Sequence, residues 1–562
     1  MTAPIQTPDS GEETLPQRRG LLTYLIDRIF LWLLGFPPER CTYTTQSLRI
    51  PLSNGIDRIE LAADLFRPTL PSSKRPLGTL LLISPYGRGF PIRLVSDAFA
   101  ARGYQVLMVS SRGTFGSAGS FYPFRDEVED GKRIVEWMRR QPWYTGTFAT
   151  IGGSYLSFTQ WGLMMSAPRD LVAAVTSLSV HDASRVCWDS GALNLDIVRW
   201  AGGIATQEES SFTWKAFTRP KLEPIIRSVP LAQNVRQHLS DNCRWLDHMI
   251  ATSDIHNPHY APMQLKEAME RINIPVLIVT GWYDIFLENS TEQYVRLRER
   301  GVPVSITSGP WSHIKCALNA KTHLSSFDGI EEHVGGRAEA KRPFPVDYFV
   351  TGAKEWRQLD TWPTPCKPVT FYLQANGNLA QEPAENRPRS SSFIFDPRDP
   401  TPTVGGNALL SSGAVDDRAL AQRKDVLVFD SHKLEDEFKF CGKATIELDH
   451  CKSHPHADVF VRLSDVKANG KSTNVTEAYR RLNPKRNEDE RVHLALNHTS
   501  HRFLRGRKIR LVVAGGNFPQ YTRNLGFSDA SNKQSEMRSV QHTIRFSAAN
   551  PSKIIFPKIL CQ

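Results

Sequence analysis

The pattern of apolar residues between positions 78 and 313 constrains the fold of this chain more than any other feature. Short runs rich in aliphatic residues alternate there with stretches of helical pattern. Strands that are apolar throughout are buried on both faces, which indicates a mostly parallel sheet with helices on each side. We therefore predict an α/β fold here. The runs are GTLLLISPYG (78–87), YQVLMVSSRG (104–113), FATIGG (148–153), AAVTSLS (173–179), PVLIVTGWYD (275–284) and PVSITSGPW (303–311).

Two further regions differ from this pattern. Roughly 95 residues with little strand character separate the run that ends at 179 from the run that begins at 275. An insertion of this size between two strands of a sheet predicts a helical cap. After WPTPCKP (362–368), strand-like segments follow one another with turn residues between them and without long helices. This predicts a separate all-β sandwich or jelly roll.

The net charge of +11 raises the question of an anionic partner. The 69 Lys and Arg residues are scattered among 58 Asp and Glu residues, and there is no long basic run or nucleic-acid motif. We therefore expect no nucleic-acid partner. The eight cysteines form no CxxC pair, which favours reduced thiols and a location in the cytoplasm.

One apolar segment, LLTYLIDRIFLWLLGF (21–36), lies near the N-terminus. The polar and acidic residues before it are not typical of a secretory signal. Asp27 and Arg28 interrupt the segment, which is too short to cross a bilayer, so we expect no transmembrane segment. Its helical spacing favours a helix packed on the body of the protein, and a membrane-surface anchor is the alternative.

A candidate nucleophile lies in FATIGGSYLSFTQW (148–161). In an α/β-hydrolase the nucleophile occupies a sharp turn between a central strand and a helix. Such a turn needs small residues, and Gly152 and Gly153 directly precede Ser154. Leu156 stands where the general G-x-S-x-G pattern has glycine. This motif is therefore weak when it is taken alone.

Two later strands are followed by residues that are candidates to complete a catalytic triad with Ser154. Asp284 ends PVLIVTGWYD, and His313 follows the next strand in SGPWSH. The carboxyl ends of the strands are where sites form in this fold class. We expect His313 to act there as general base, with Asp284 fixing its tautomer. His181 and His256 are weaker candidates, because neither follows a strand in the right order.

These motifs resemble those of the cocaine esterase and X-prolyl dipeptidyl-peptidase-like hydrolases, a family that includes α-amino-acid ester hydrolases. GGSYLS resembles the family's G-x-S-Y-x-G turn. GWYD (281–284) matches its acid motif, and GPWSH (309–313) matches its GPW-[ST]-H motif. SPYG (84–87) resembles its N-P-Y segment. The resemblance implies an oxyanion hole formed by the Tyr86 hydroxyl and the Tyr155 backbone N–H.

The sequence departs from the family pattern at two positions near these motifs. Ser157 replaces the glycine three residues after the nucleophile. Serine is the smallest polar substitute, so we expect activity to survive. Ser84 replaces the asparagine before Pro-Tyr, which bears on the geometry of the oxyanion hole.

Later segments extend the resemblance into the C-terminal part of the chain. GAKEWRQLDTWP (352–363) resembles the family's junction between domains, and FDPRDPTPTVGG (395–406) resembles its jelly-roll domain. We therefore predict an α/β-hydrolase fold with an inserted helical cap, followed by an all-β jelly-roll domain. The expected divisions are a polar tail and helix (1–44), the first part of the hydrolase domain (45–180), the cap (181–272), the second part of the hydrolase domain (273–362) and the jelly roll (363–562).

No cofactor or metal is expected. RGTFGSAGS (112–120) is rich in glycine but lacks the Lys-Ser/Thr ending of a phosphate-binding loop. Cys451, His454 and His456 have side chains that could bind a metal, but no matching second pair lies nearby. A turn in the β domain is the better interpretation of these three residues.

The leading hypothesis for function is a serine hydrolase that cleaves an acyl ester, thioester or amide through an acyl-enzyme intermediate. An acyltransferase is a first alternative, in which an alcohol or amine intercepts that intermediate, for example to release or tailor a polyketide-like biosynthetic acyl group. An X-prolyl dipeptidyl peptidase is a second, and a non-catalytic binding protein that uses the jelly roll is a third. The expected partner is a small-molecule acyl substrate, and a homodimer is left open.

Overall fold

A computed structural model describes most of the chain, and the residues it describes form two sheets and a set of helices. One sheet has eleven strands and the other has thirteen. The described residues are 14–52, 59–208, 222–239, 243–337, 339, 341–383, 389–410, 412–483, 491–528 and 535–559.

The first sheet has the order β1-β2-β3-β5-β4-β6-β7-β8-β9-β10-β11. Strands β4 to β10 pair in parallel, whereas β1 to β3 and β11 add antiparallel pairs at the two edges. The strands are β1 (Gln17–Arg18), β2 (Tyr43–Pro51), β3 (Glu60–Pro68), β4 (Thr79–Ser84), β5 (Gln105–Ser110), β6 (Phe148–Gly153), β7 (Leu171–Ser177), β8 (Val276–Tyr283), β9 (Val304–Ser312), β10 (Val346–Val350) and β11 (Glu355–Leu359).

Every residue of β4, β5 and β8 is buried, as their unbroken apolar sequences require. Helices alternate with these strands and cover both faces of the sheet. The helices outside the insertion are α1 (Leu21–Leu33), α2 (Leu94–Ala100), α3 (Glu127–Met138), α4 (Tyr155–Met164), α11 (Leu287–Glu299), α12 (His313–Ala317) and α13 (Ala320–His333).

The insertion between β7 and β8 contains helices and turns, with no strand among the residues described there. These helices supply buried aromatic residues, including Trp200 and Trp245, to the same core as the sheet. The helices are α5 (Ala183–Trp188), α6 (Asp196–Ala205), α7 (Leu222–Arg227), α8 (Leu231–His238), α9 (Arg244–Ala251), a 3-10 turn (Pro258–Met263) and α10 (Ala268–Arg271).

The second sheet encloses a separate core, in which Phe371, Phe440 and Phe556 pack edge to face. Its strands pair antiparallel apart from β13 and β15. They are β12 (Cys366–Leu373), β13 (Asn378–Ala380), β14 (Arg389–Phe395), β15 (Val426–Ser431), β16 (Phe438–Gly442), β17 (Thr445–Lys452), β18 (Asp458–Val466), β19 (Ser472–Arg481), β20 (Arg491–Ala495), β21 (Thr499–Phe503), β22 (Lys508–Ala514), β23 (Val540–Phe546) and β24 (Lys553–Ile559).

The predicted fold class, an α/β domain with a helical insertion followed by an all-β domain, is confirmed. The sequence patterns did not predict β2 and β3, which are partly exposed and therefore lack an unbroken apolar run.

Helix α1 contacts the body of the protein along one side. Leu31 and Asp27 are its buried residues. Asp27 accepts hydrogen bonds from Arg19 Nε at 3.0 Å and from the Tyr43 hydroxyl at 3.2 Å. Within the described part of the chain, no helix is both long and apolar enough to cross a membrane.

Candidate functional site

The turn between β6 and α4 holds Ser154 in a backbone conformation that few residues adopt. Its φ is 60° and its ψ is −126°, and such strain in a residue other than glycine is typical of functional sites. The preceding glycines make room for the turn. A Cβ atom on Gly152 would lie 2.6 Å from the Cβ of Leu156, and one on Gly153 would lie 3.2 Å from the Ser177 carbonyl oxygen.

Ser157 and Ser84, the two residues that depart from the family pattern, both make hydrogen bonds near this turn. The Ser157 hydroxyl donates to the Ser154 carbonyl oxygen at 2.6 Å and accepts from the Val180 N–H at 3.0 Å. The Ser84 hydroxyl accepts from the Tyr86 N–H at 3.1 Å. Ser157 therefore ties the turn of the nucleophile to Val180, whereas Ser84 makes its hydrogen bond within its own segment.

The structure brings the three predicted triad residues into one hydrogen-bonded chain. Asp284 follows β8, and His313 is the first residue of α12, directly after β9. His313 Nδ1 donates to Asp284 Oδ1 at 2.7 Å, and the Ser154 hydroxyl donates to His313 Nε2 at 3.1 Å. Asp284 is 1% exposed. The arrangement can therefore carry a proton from the serine to a buried, oriented imidazole.

A residue of the all-β domain holds the loop that carries Asp284. The Asn407 Nδ2 donates to the carbonyl oxygens of Trp282 and Asp284, at 3.0 and 3.2 Å. Gln520 Nε2 in turn donates to the Asn407 carbonyl oxygen at 2.6 Å. The position of the acid thus depends on both domains.

The Tyr86 side chain lies beside the nucleophile and contacts the inserted helices. Its hydroxyl accepts a hydrogen bond from Trp200 Nε1 at 3.1 Å and interacts with Ser154. Burial raises the pKa of this hydroxyl to about 12, so it stays protonated at neutral pH. A tyrosine hydroxyl has a single proton. Since the indole N–H occupies one acceptor lone pair, that proton can point toward a substrate oxygen.

The backbone N–H of Tyr155 is the second predicted oxyanion donor. Tyr155 is the first residue of α4, and the first N–H groups of a helix have no acceptor within the helix. The ring of Tyr155 packs against the rings of Phe124 and Trp200, with centroids 4.8 and 5.8 Å away. Its hydroxyl accepts from the Phe124 N–H at 2.8 Å and donates to the Glu127 carboxyl group. These contacts fix the residue that follows the nucleophile.

Burial raises the pKa of Glu127 to about 7, from an ordinary value of 4.5. Between these two pH values the folded protein binds this proton and the unfolded chain does not, so this group lowers stability as pH rises. The glutamine side chain in Glu127→Gln cannot ionise. As pH rises, we therefore expect the free energy of unfolding of this variant to fall by up to about 3 kcal/mol less than that of wild type. Thermal unfolding midpoints of the two proteins, measured from about pH 5 to pH 8, test this expectation.

Glu129→Gln is a matched control on the same helix, because the Glu129 side chain is 55% exposed. It should leave the pH dependence of the midpoint unchanged. If Glu127→Gln and wild type lose stability in parallel as pH rises, the carboxyl group does not titrate in this range.

A cavity of about 60 Å³ lies beside Ser154, under the inserted helices. Asp196 is the only acidic residue among the described residues that line it. Its Oδ2 accepts from the Leu409 N–H at 2.8 Å, and its Oδ1 accepts from Arg199 at 3.2 Å. Most of the remaining lining is apolar and includes Phe124, Val180, Ala183, Val186, Ile197 and Phe286.

The two alternative histidines lie apart from this chain of hydrogen bonds. His181 is buried, its Nδ1 accepts from Gln293 Nε2 at 3.0 Å, and burial lowers its pKa to about 4. His256 is exposed. No group of His, Cys, Asp and Glu residues in the described ranges could hold a metal ion. Trp200, Glu127 and Asn407 were not predicted as site residues.

Comparison with known proteins relates both domains to one family. The model of the X-Pro dipeptidyl-peptidase (S15 family) matches residues 57–315. The model of the X-Pro dipeptidyl-peptidase C-terminal non-catalytic domain matches residues 338–555. The chain is 27% identical over 570 residues to the cocaine esterase of Rhodococcus sp. strain MB1 Bresler. That match covers 91% of this chain and 98% of the esterase.

Two solved structures share the fold over nearly the whole chain. An aminopeptidase from a marine sediment Thaumarchaeota archaeon superposes with a TM-score of 0.80 at 19% identity, covering 92% of this chain and 97% of that one. An α-amino acid ester hydrolase superposes with a TM-score of 0.78 at 19% identity, covering 92% and 96%. At this level of identity the likeness establishes the shared architecture of both domains.

Proposed function

Because the chain belongs to the cocaine esterase and X-Pro dipeptidyl-peptidase-like family and is a serine hydrolase, we propose that it hydrolyses carboxylic esters with a short, uncharged acyl group. The observation that carries the proposal is the apolar cavity of about 60 Å³ beside Ser154. An engineered cavity of about 150 Å³ holds a benzene ring. The smaller cavity here suits a short aliphatic acyl chain.

In the proposed reaction, Ser154 attacks the ester carbonyl carbon while His313 Nε2 removes its proton. Asp284 holds the imidazole in the required tautomer and stabilises its charged form. The C–O bond to the leaving alcohol then breaks, and the imidazolium returns its proton to that alcohol. Water, deprotonated by the same imidazole, then attacks the acyl-enzyme. The bond between the acyl carbon and Ser154 Oγ breaks, the imidazolium returns its proton to Ser154, and the acid is released. The hydrogen bonds of 2.7 and 3.1 Å between these three side chains support these roles.

The developing oxyanion is stabilised in this proposal by the Tyr86 hydroxyl and the Tyr155 N–H. Each donor of this kind contributes a few kcal/mol to the stability of the transition state, about 2.7–4 where it has been measured. Both groups belong to segments held beside Ser154, one by Trp200 and the other by stacking and by Glu127.

The lining of the cavity favours an uncharged acyl group over the free N-terminus of an Xaa-Pro peptide. An ammonium group buried among apolar side chains needs a carboxylate partner. The negative charge of Asp196 is already balanced by Arg199, whose Nη1 lies 3.2 Å from Asp196 Oδ1, and the Leu409 N–H donates to the other oxygen. This arrangement supports esterase activity over dipeptidyl-peptidase activity for this chain.

A panel of p-nitrophenyl esters and an Xaa-Pro p-nitroanilide tests the proposal. We expect kcat/KM for the acetyl or butyryl ester to exceed that for the benzoyl ester by at least about tenfold, since a change in the size of the group bound in an apolar pocket is worth about 1–3 kcal/mol. Ile197→Ala enlarges the cavity and should reduce this preference. Ile204 lies on the same helix but does not line the cavity. Ile204→Ala removes the same atoms and should leave the preference for short acyl groups unchanged.

The outcomes of this panel separate the alternatives. Turnover of the Xaa-Pro anilide above all esters would contradict the proposal and favour the dipeptidyl peptidase. Transfer of the acyl group to an added alcohol in preference to water would favour an acyltransferase. A cytoplasmic location stays a prediction from the sequence, and whether the chain forms a homodimer stays open.

A further inference from the structure

Large apolar side chains are exposed on α1 far more than elsewhere in the described chain. Of fifteen exposed large hydrophobic residues in that part, eight lie on this one helix. Trp32 is 75% exposed and Leu21 is 76% exposed. Contiguous apolar surface of this kind marks an interaction site more often than chance exposure. The eight residues, here called the α1 face, are Leu21, Leu22, Leu25, Ile26, Ile29, Phe30, Trp32 and Leu33.

The orientation of α1 is inverted relative to an ordinary surface helix, which turns its apolar stripe toward the core. Its only acidic residue, Asp27, is 3% exposed and is bonded to Arg19 and Tyr43. The side chain of Arg19 is itself only 2% exposed and also pairs with Glu39. Buried polar contacts therefore hold the helix with its apolar residues outward.

The exposed charged residues of the segment 14–36, which contains α1, are positive. Between residues 14 and 36 the charged residues are two arginines that are exposed, Arg18 and Arg28, and the buried pair of Arg19 and Asp27. The chain as a whole carries a net charge of +11. Positive residues beside exposed apolar ones complement an anionic lipid surface, where headgroups and acyl chains meet.

The same charges disfavour a second copy of the chain as the binding partner of the α1 face. A two-fold contact places each patch against itself. The positive charges beside the two faces would then be brought together, and Asp27, the acidic residue of this segment, stays buried and bonded to Arg19. A flat lipid surface makes no such contact and accommodates a single protruding helix.

The dimensions of the helix fit binding on a membrane surface. Its 13 residues span about 20 Å, which is shorter than the bilayer core of about 30 Å. Trp32 is an aromatic residue of the kind enriched at membrane interfaces. Phe30 packs on Phe90 with ring centroids 5.2 Å apart, and Phe90 follows Tyr86 by four residues. The α1 face therefore borders the loop that leads from the candidate oxyanion hole.

We propose that the α1 face docks the protein on the surface of an anionic lipid bilayer, with the helix lying in the plane of the interface. The apolar side chains enter the boundary between headgroups and acyl chains. Arg18 and Arg28 lie at the level of the lipid phosphates. The catalytic domain then rests on the membrane without crossing it.

Co-sedimentation of the full chain with vesicles tests this proposal. Vesicles of phosphatidylcholine alone are compared with vesicles that also contain phosphatidylserine. We expect binding to the mixed vesicles, and a loss of at least about tenfold in the partition coefficient when Leu25→Ser, Ile29→Ser and Trp32→Ser are combined. Removing the positive charge of Arg18 or Arg28 should weaken binding to the mixed vesicles by about fivefold each.

Ile394→Ser is the matched control, because Ile394 is 58% exposed on the all-β domain and Ile29 is 59% exposed. It should bind vesicles as wild type does. The triple variant should still hydrolyse a soluble ester at the wild-type rate, which shows that it is folded. The proposal is overturned if wild type binds neither vesicle, if the triple variant binds equally well, or if the triple variant only dissociates a dimer seen by light scattering.

Discussion

Replacing Ser154 by alanine should abolish ester hydrolysis and labelling by a fluorophosphonate probe. The substitution removes the hydroxyl group that donates a hydrogen bond to His313 Nε2 at 3.1 Å. Loss of a serine nucleophile from a triad lowers kcat by about a million-fold in a well-studied serine protease. Turnover of a p-nitrophenyl ester and gel detection of the labelled chain measure the two effects independently.

Ser157→Ala is the control for this substitution, since it removes a hydroxyl from the same turn of α4. The Ser157 hydroxyl bonds only backbone groups, those of Ser154, Leu178 and Val180, in the described structure. We expect the variant to keep its labelling. Labelling of Ser154→Ala at the wild-type level would show that another residue is the nucleophile.

Tyr86→Phe should lower kcat by about a hundredfold or more, with little change in KM, because an oxyanion donor acts mainly in the transition state. Trp200→Phe removes the indole N–H that donates to the Tyr86 hydroxyl at 3.1 Å. We expect it to lower kcat by up to about tenfold, the range of a single neutral hydrogen bond. The indole would thus be a positioning residue that acts through Tyr86.

A double-mutant cycle distinguishes this role from a general packing effect. In a Tyr86→Phe background, Trp200→Phe should have almost no further effect on kcat, because the hydroxyl it orients is absent. Trp245→Phe is the control, since Trp245 Nε1 is buried without a hydrogen-bond partner in the described structure and its ring lies 5.6 Å from that of Trp200. If the losses in kcat from Tyr86→Phe and Trp200→Phe multiply in the double variant, the two residues are not coupled.

The parallel strands and the candidate triad could be predicted because their signals are local and ordered. Each buried strand is a short apolar run bounded by turn residues, and β6 spans the predicted run, 148–153. Asp284 and His313 follow such runs directly. Because the ends of parallel strands meet at one edge of a sheet, strand order alone brings these residues near Ser154.

The partners that support the candidate site could not be predicted in this way. Trp200 lies in the inserted helices, where no strand pattern fixes its place relative to Tyr86, 114 residues earlier. Glu127 begins α3. Acidic residues are common in the first turn of a helix, so the sequence does not mark this one as part of a site. Its burial against Tyr155 depends on how α3 and α4 pack, which is a property of the assembled core.

The hydrogen bonds of the Asn407 amide limit how this chain can be shortened or joined to the C-terminal half of a relative. A shortened chain that ended before the second sheet would keep all three candidate triad residues. It would lose the donor for the carbonyl oxygens of Trp282 and Asp284, so the loop that carries the acid would no longer be held in place. The two domains are therefore not interchangeable modules. A chimera with a relative's C-terminal half would need the Asn407 segment and the acid loop to be inherited together.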